Sequence, residues 1–362
     1  MDTNITLRSP GDVVAALPYQ LGYHPDESVV LVTLDAGRVG LVARCDLPPD
    51  DAVDDTVGVL LEPLLREAPD SVVLVGYERV PESSHAVLTA LVEALEGRRV
   101  EVVGVDVVRD GRRYSPVCSE PCCPPEGVPV PDPSEVPAVA ELVALGRAPL
   151  ASRAEVGALV EPVATSEAVG EVLGRRRRPA RGDVAVRAWG RVLAPPGERR
   201  TGRAAPLPWA PRVVADAASA LAEVPLRDGL IGWLAPGVLP RAELDPVVVA
   251  RLERSLPRWA GMGRWRGTGR LGADRHLLLE RLLLLARSVP DDAPDAAAAV
   301  CTVAAHVAWA DGDGAVARVA LDRALRLTPG YRLAVLLTQL VDLGVRIPTT
   351  HSPDGSAAPR AG

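Results

Sequence analysis

The chain has 362 residues, 48% of them apolar and 24% charged, with a net charge of −7. That balance excludes a disordered polar chain, and 5 cysteines exclude a disulfide-built scaffold. Lys and Phe are absent, so all 40 basic residues are Arg, a bias that fits GC-rich coding better than thermal adaptation.

The charge is uneven. Residues 1–150 carry 25 acidic side chains against 11 Arg, a balance of −14, whereas residues 151–362 carry 22 against 29, a balance of +7. Such asymmetry fits a nucleic-acid partner, two halves that attract one another, or simply two differently charged solvated surfaces; the last is the default. The longest apolar run, Leu277 to Ala286, is interrupted by Glu280 and Arg281, and no membrane span is expected. Met1 to Pro10 lacks the pattern of a secretory leader, so reduced thiols and a cytoplasmic location are expected.

In chain order, Ser9-Pro10-Gly11-Asp12 reads as a helix start, and the helix should end near Leu17 because Pro18 follows. Ser28–Leu34 and Val39–Leu47 read as paired strands around a turn at 35–38. Apolar residues at helical spacing mark 50–67, Asp70–Tyr77 is a strand, and 81–96 is a helix. Val100–Val108 is the fourth strand, with a fifth at Arg112–Val117 across Asp110-Gly111. This order, ββαβαβ, predicts an α/β domain over 1–130 with a mixed sheet, covered by helices and linked by right-handed crossovers.

The Pro-rich stretch 118–133 should be irregular. Residues 131–174 read as a helical extension, with helices at 134–147 and 152–174. Residues 175–211 hold 10 Arg against Asp183 and Glu198 and read as a flexible linker. An all-α domain is predicted for 212–347, with helices near 212–223, 241–256, 274–288, 294–310, 314–327 and 330–343, and 348–362 as a disordered tail. Within it, Ala317, Leu321, Ala324, Leu325 and Pro329 follow the spacing of the second helix of a tetratricopeptide unit, although Cys301 and Ala305 do not fit the first.

Four stretches carry potential chemistry. Cys118, Cys122 and Cys123 lie within six residues, and 118/122 could be half of a tetrahedral zinc site, with His24 as the remaining candidate ligand. Against a metal, adjacent Cys122 and Cys123 should point apart and no second Cys pair exists; packed thiols in a Pro-stiffened loop are the preferred reading. His24, Asp26, Glu27 and Ser28 precede the first strand, where catalytic groups often lie, but Ser28 lacks a nucleophile elbow. Gly267-Thr268-Gly269-Arg270-Leu271-Gly272 matches a dinucleotide fingerprint without the strand that should precede it. Finally Arg175, Arg176, Arg177 and Arg178, with Arg258, Trp259, Arg264, Trp265 and Arg266, offer a weak nucleic-acid-binding surface.

Three segments carry a family likeness: the opening Leu7-Arg8-Ser9-Pro10 … Leu17-Pro18-Tyr19-Gln20-Leu21-Gly22-Tyr23-His24-Pro25-Asp26-Glu27-Ser28-Val29-Val30, the cysteine stretch Cys118–Gly127, and Trp309-Ala310-Asp311-Gly312-Asp313-Gly314 with the helix after it. Together they resemble an actinobacterial family catalogued only as a domain of unknown function. The resemblance spans about residues 5–345 and implies a cytoplasmic protein, with no activity or catalytic residue attached. The leading functional expectation is a binding or scaffold protein whose helical part engages another protein. The alternatives are a thiol- or zinc-dependent enzyme using the cysteine loop with His24, and an electrostatic nucleic-acid binder. No cofactor is expected, and a protein partner is preferred to nucleic acid.

Overall fold

The computed structural model describes residues 9–35, 38–118, 120–194, 209–257 and 271–345. The first helix, α1 (Pro10–Leu21), starts where Ser9 Oγ accepts the Asp12 amide at 3.2 Å. It runs four residues beyond the expected end. Pro18 lacks only its own N–H, and its carbonyl still accepts the amide of Gly22, which closes the helix at φ 80°.

Strands β1 (Ser28–Asp35), β2 (Arg38–Asp46), β3 (Ser71–Tyr77), β4 (Glu101–Arg109), β5 (Arg112–Tyr114) and β6 (Val128–Pro129) form one sheet in the order β2-β1-β3-β4-β5-β6. β1 is antiparallel to both β2 and β3, so β2 and β3 are parallel, and β3 and β4 pair in parallel. The helices between these parallel strands are α2 (Val53–Glu67) and α3 (His85–Glu96). β6 is a correction to the sequence reading: part of the Pro-rich stretch is not irregular but pairs with β5, Arg113 opposite Val128.

The central strands β1 and β3 are buried on both faces, which is why they are continuous apolar runs rather than an alternating pattern. Val29, Leu31, Val72, Leu74, Val105 and Val107 pack with the leucines of α2 and α3. Val30, Val32, Val73, Val75 and Tyr77 face Val13, Val14 and Leu17 of α1. The outer side of α1 is covered in turn by α4 (Pro137–Ala144), through Ala15, Ala16, Val139 and Leu142. The α/β half therefore extends past residue 130.

The remaining helices are α5 (Arg153–Ala158), α6 (Glu167–Gly174), α7 (Gly182–Val192), α8 (Pro211–Ala220), α9 (Val224–Leu234), α10 (Pro246–Ser255), α11 (Leu271–Arg287), α12 (Pro294–Ala310), α13 (Gly314–Leu327) and α14 (Arg332–Asp342). The bounds of α12 and α13 are those expected. α9 was not expected. The stretch 152–174 is split, with Pro162 between α5 and α6. α12 is buried on every side from Ala297 to Ala308, the signature of a central helix.

The expected linker is also corrected. Of 175–211, residues 175–194 contain α7, whose Ala185, Val186, Ala188, Trp189 and Val192 join the helical core. Trp189 is fully buried and its Nε1 donates to the Ala217 carbonyl at 3.1 Å. The Arg and Gly content hid an amphipathic spacing of i, i+1, i+3, i+4, i+7. Residues 195–208, the Gly267–Arg270 part of the glycine motif, the Arg258–Arg266 cluster and the tail 348–362 lie outside the described residues. Among the described residues no helix is long and apolar enough to cross a membrane.

Candidate thiol site at the sheet face

β5 and β6 are the two sides of a closed loop. Arg112 Nε donates to the Glu126 carbonyl and its Nη2 to that of Gly127, both at 2.7 Å. Ser115 Oγ donates to the Val105 carbonyl at 3.3 Å and fixes the other end. Gly127 is needed twice over: its φ is 72°, and a Cβ there would lie 2.7 Å from the Tyr114 ring. Between these anchors Cys123 N donates to the Glu120 carbonyl at 2.8 Å, turning the chain at the cysteines.

This turn overturns the expectation that Cys122 and Cys123 point apart. Their sulfurs are 3.9 Å from one another, and those of Cys118, Cys122 and Cys123 all lie within 4.8 Å. Tetrahedral zinc with Zn–S bonds of about 2.3 Å places its sulfurs about 3.8 Å apart, so the spacing fits one ion. Among the described residues no His, Asp or Glu lies within that distance of all three. Cys122 is exposed, Cys118 and Cys123 are half-buried, and all three are free thiols.

Arg113 of β5 binds Asp106 of β4 at 2.6 Å, with Cys123 beside the same guanidinium. The alternation of β4 puts Asp106 on the α1 face, 2% exposed. Burial pushes the Asp106 carboxyl up, against the hydrogen bond and charge of Arg113. Burial works against the Arg113 guanidinium too, but Asp106 and Cys123 beside it hold it above its ordinary value. Further along the face, Tyr77 is pushed up by burial and by Asp106. Its hydroxyl and that of Ser28, cross-strand partners on β3 and β1, are buried without a hydrogen-bond partner. Arg113, Asp106 and Tyr77 are the site residues that sequence reasoning missed. The available signal was a carboxylate amid the valines of 100–108, which needs a buried counter-ion.

The other candidates are dispersed. His24 is exposed, and its amide donates to the Leu150 carbonyl at 3.0 Å. Asp26 pairs with Arg79, while the Glu27 carboxylate accepts the Arg79 amide at 2.5 Å. Ser28 is fully buried, so exposed His24 and Ser28 do not present one reactive surface. Arg175 pairs with Glu171 and Arg176 with Asp216, which leaves Arg177 and Arg178 as the exposed remainder of the run. A half-open cavity of about 510 Å³ lies in the helical half, lined by Arg181, Arg251, Glu223 and Asp245 among others. It shares no lining residue with the thiol site, and its two guanidiniums are matched by two carboxylates.

A family model described as a domain of unknown function, DUF4192, matches residues 10–347. No curated protein and no solved structure matches the chain.

Proposed function

The chain belongs to this family, whose description assigns no activity, and from that premise we propose that it is a metal-binding protein that holds one thiophilic divalent ion, zinc by preference, on Cys118, Cys122 and Cys123. The observation that carries the reading is the convergence of three sulfurs within 4.8 Å from a six-residue stretch. Thiolates select zinc over the harder magnesium and calcium. Three protein ligands leave one position for water or another small donor, the arrangement of sites that do more than brace a fold. The Arg113 guanidinium lies beside Cys123 and supplies a positive charge next to the three sulfurs.

The sequence alone favours a scaffold protein engaging a partner through its helices. The sulfur geometry moves the metal reading ahead, without His24 as a ligand. Elemental analysis of full-length protein purified under reducing conditions and loaded with zinc tests it. The expected result is one zinc per chain, lost in the Cys118→Ser, Cys122→Ser double variant with circular dichroism unchanged. No zinc retained after dialysis at micromolar protein would overturn the proposal.

A further inference from the structure

Resting on the zinc reading, we propose that the same three thiols form a peroxide-operated release switch: oxidation joins Cys118 to Cys122 as a disulfide and expels the ion. Three features of the loop support this. The sulfurs already lie within 4.8 Å of each other, so a disulfide needs side-chain rotation and a small shift of the turn. Exposure assigns the order of attack, because Cys122 is open to solvent whereas Cys118 and Cys123 are half-covered. Connectivity assigns the pair, because a bond between neighbours Cys122 and Cys123 would close a strained ring across one peptide. Cys118 instead closes a five-residue loop inside the 115–126 segment, whose two ends are held independently by Ser115 and Arg112. Cys123 stays with Arg113 as the remaining thiol.

The chemistry balances with hydrogen peroxide as the oxidant. The Cys122 thiolate attacks one peroxide oxygen; an S–O bond forms, the O–O bond breaks, and the departing hydroxide takes a proton to become water. The Cys118 thiolate then attacks the Cys122 sulfur; the S–S bond forms, the S–O bond breaks, and the second hydroxide also leaves as water. Two sulfurs lose one electron each and the two peroxide oxygens gain them. Zinc keeps its charge, but only one thiolate remains to hold it. The other two cysteines are not part of the switch. Cys301 is fully buried with its thiol pushed up to about 11 by burial, and Cys45 lies on β2 outside the cluster.

The test uses zinc-loaded full-length protein, a chromogenic zinc indicator and a slight excess of hydrogen peroxide. Release of one zinc per chain is expected, with thiols in the denatured chain falling from 5 to 3. Peptide mass mapping should place the disulfide between Cys118 and Cys122, and dithiothreitol should restore zinc binding. A Cys45→Ser, Cys301→Ala variant should behave as the parent. If that variant is poorly folded, blocking exposed thiols of the parent before and after peroxide provides the same control. Zinc retained through peroxide treatment would overturn the switch and leave the metal site standing, as would release accompanied only by sulfinic acid. A Cys122–Cys123 disulfide would overturn the assigned pair. Absence of zinc before peroxide is added would instead overturn the metal reading itself.

Discussion

The two halves of the chain bury polar groups by opposite means. In the α/β half the buried charges are short-range couples on neighbouring strands or turns. Asp106 and Arg113 sit on paired strands, and the buried Glu78 carboxylate takes the Ser84 amide at 2.9 Å, the Ser84 hydroxyl and Arg109. In the helical half one side chain ties distant segments together. Arg323 of α13 is 1% exposed and donates to the carbonyls of Val160, Ala286 and Val289 and to Asp291. A sheet offers regular partners one strand away. Helix ends offer orphan carbonyls, and a long guanidinium collects several at once.

The largest expected effect breaks that clasp. Arg323→Met keeps the bulk but leaves the Val160 and Val289 carbonyls and Asp291 Oδ1 without their guanidinium donor, while Ala286 keeps the Val289 amide and Asp291 keeps Arg326. Removing one partner from such a buried network costs about 3–5 kcal/mol. Urea unfolding should show a clearly lowered midpoint in the far-ultraviolet signal of the helices. A loss below about 1 kcal/mol would mean that the segments at 160 and 286–291 are held by packing alone.

A second effect separates two titrating groups in the helical half. His306 is held well below its ordinary value, at about 4, by burial, with the Arg227 charge adding to this; its Nδ1 lies 2.8 Å from the Thr302 carbonyl, and Asp228 is also near. Asp311 is pushed up to about 6 by burial, against Arg275, with Asp313, Arg147 and His276 nearby. Asp313 is also raised by burial and acts in the same direction. As pH falls from 6.5 to 4, the unfolded state protonates its histidine first, so the His306 contribution to stability is lost. Over about the same window the folded state protonates Asp311 first, so stability rises and levels off below the ordinary carboxyl range. Each group is worth about 3 kcal/mol, so they largely cancel. His306→Met should therefore make the protein more stable at pH 5 than at pH 7, and Asp311→Asn should steepen its acid sensitivity. Melting temperatures at pH 5, 6 and 7 decide; parallel profiles for both variants would refute the opposition.

The legibility of the two halves differs for a physical reason. Strands buried on both faces must be runs of valine and leucine, so β1 and β3 stand out in the sequence. α12 and α13 are equally plain, because their alanines and the Gly312 turn leave no other reading. α7 was hidden because Arg187 and Arg191 share it with Trp189, and composition outweighed spacing. β6 was hidden because two residues carry no periodicity. At the site, the cysteines and their clustering in sequence were visible. Their convergence depends on the Glu120–Cys123 turn and on the closure of β5 onto β6, which no spacing rule supplies.

A third effect returns to the α/β half. A Cβ at Gly76 would lie 2.3 Å from Ser84 Oγ and 2.7 Å from its Cβ, in the shell that satisfies Glu78. Gly76→Ala must push the 81–84 turn away from β3, a cost of about 1–3 kcal/mol for overpacking. Hydrogen exchange should show loosened amides at Glu82 and Ser84, both donors to Glu78. Unchanged protection there would mean that the turn yields without disturbing the buried carboxylate.

The smallest effect asks how the halves are joined. Their opposite balances, −14 and +7, suggest electrostatic attraction, yet among the described residues the ion pair between them is modest: Arg153 of α5 meets Asp46 of β2 at 3.4 Å, with side chains 46% and 69% exposed. Asp46 is already engaged by Arg44 on its own strand. The other links include Arg66 Nη1 of α2 donating to the Leu343 carbonyl at 3.4 Å and the burial of Tyr23 in the helical core. An exposed pair is worth less than about 1 kcal/mol and is screened by salt. Arg153→Gln should therefore shift stability by less than that, and the difference should vanish in 1 M sodium chloride. A loss of 2 kcal/mol or more in low salt that 1 M sodium chloride abolishes would show that the charge asymmetry acts through this contact and that apolar burial at Tyr23 is not what couples the halves.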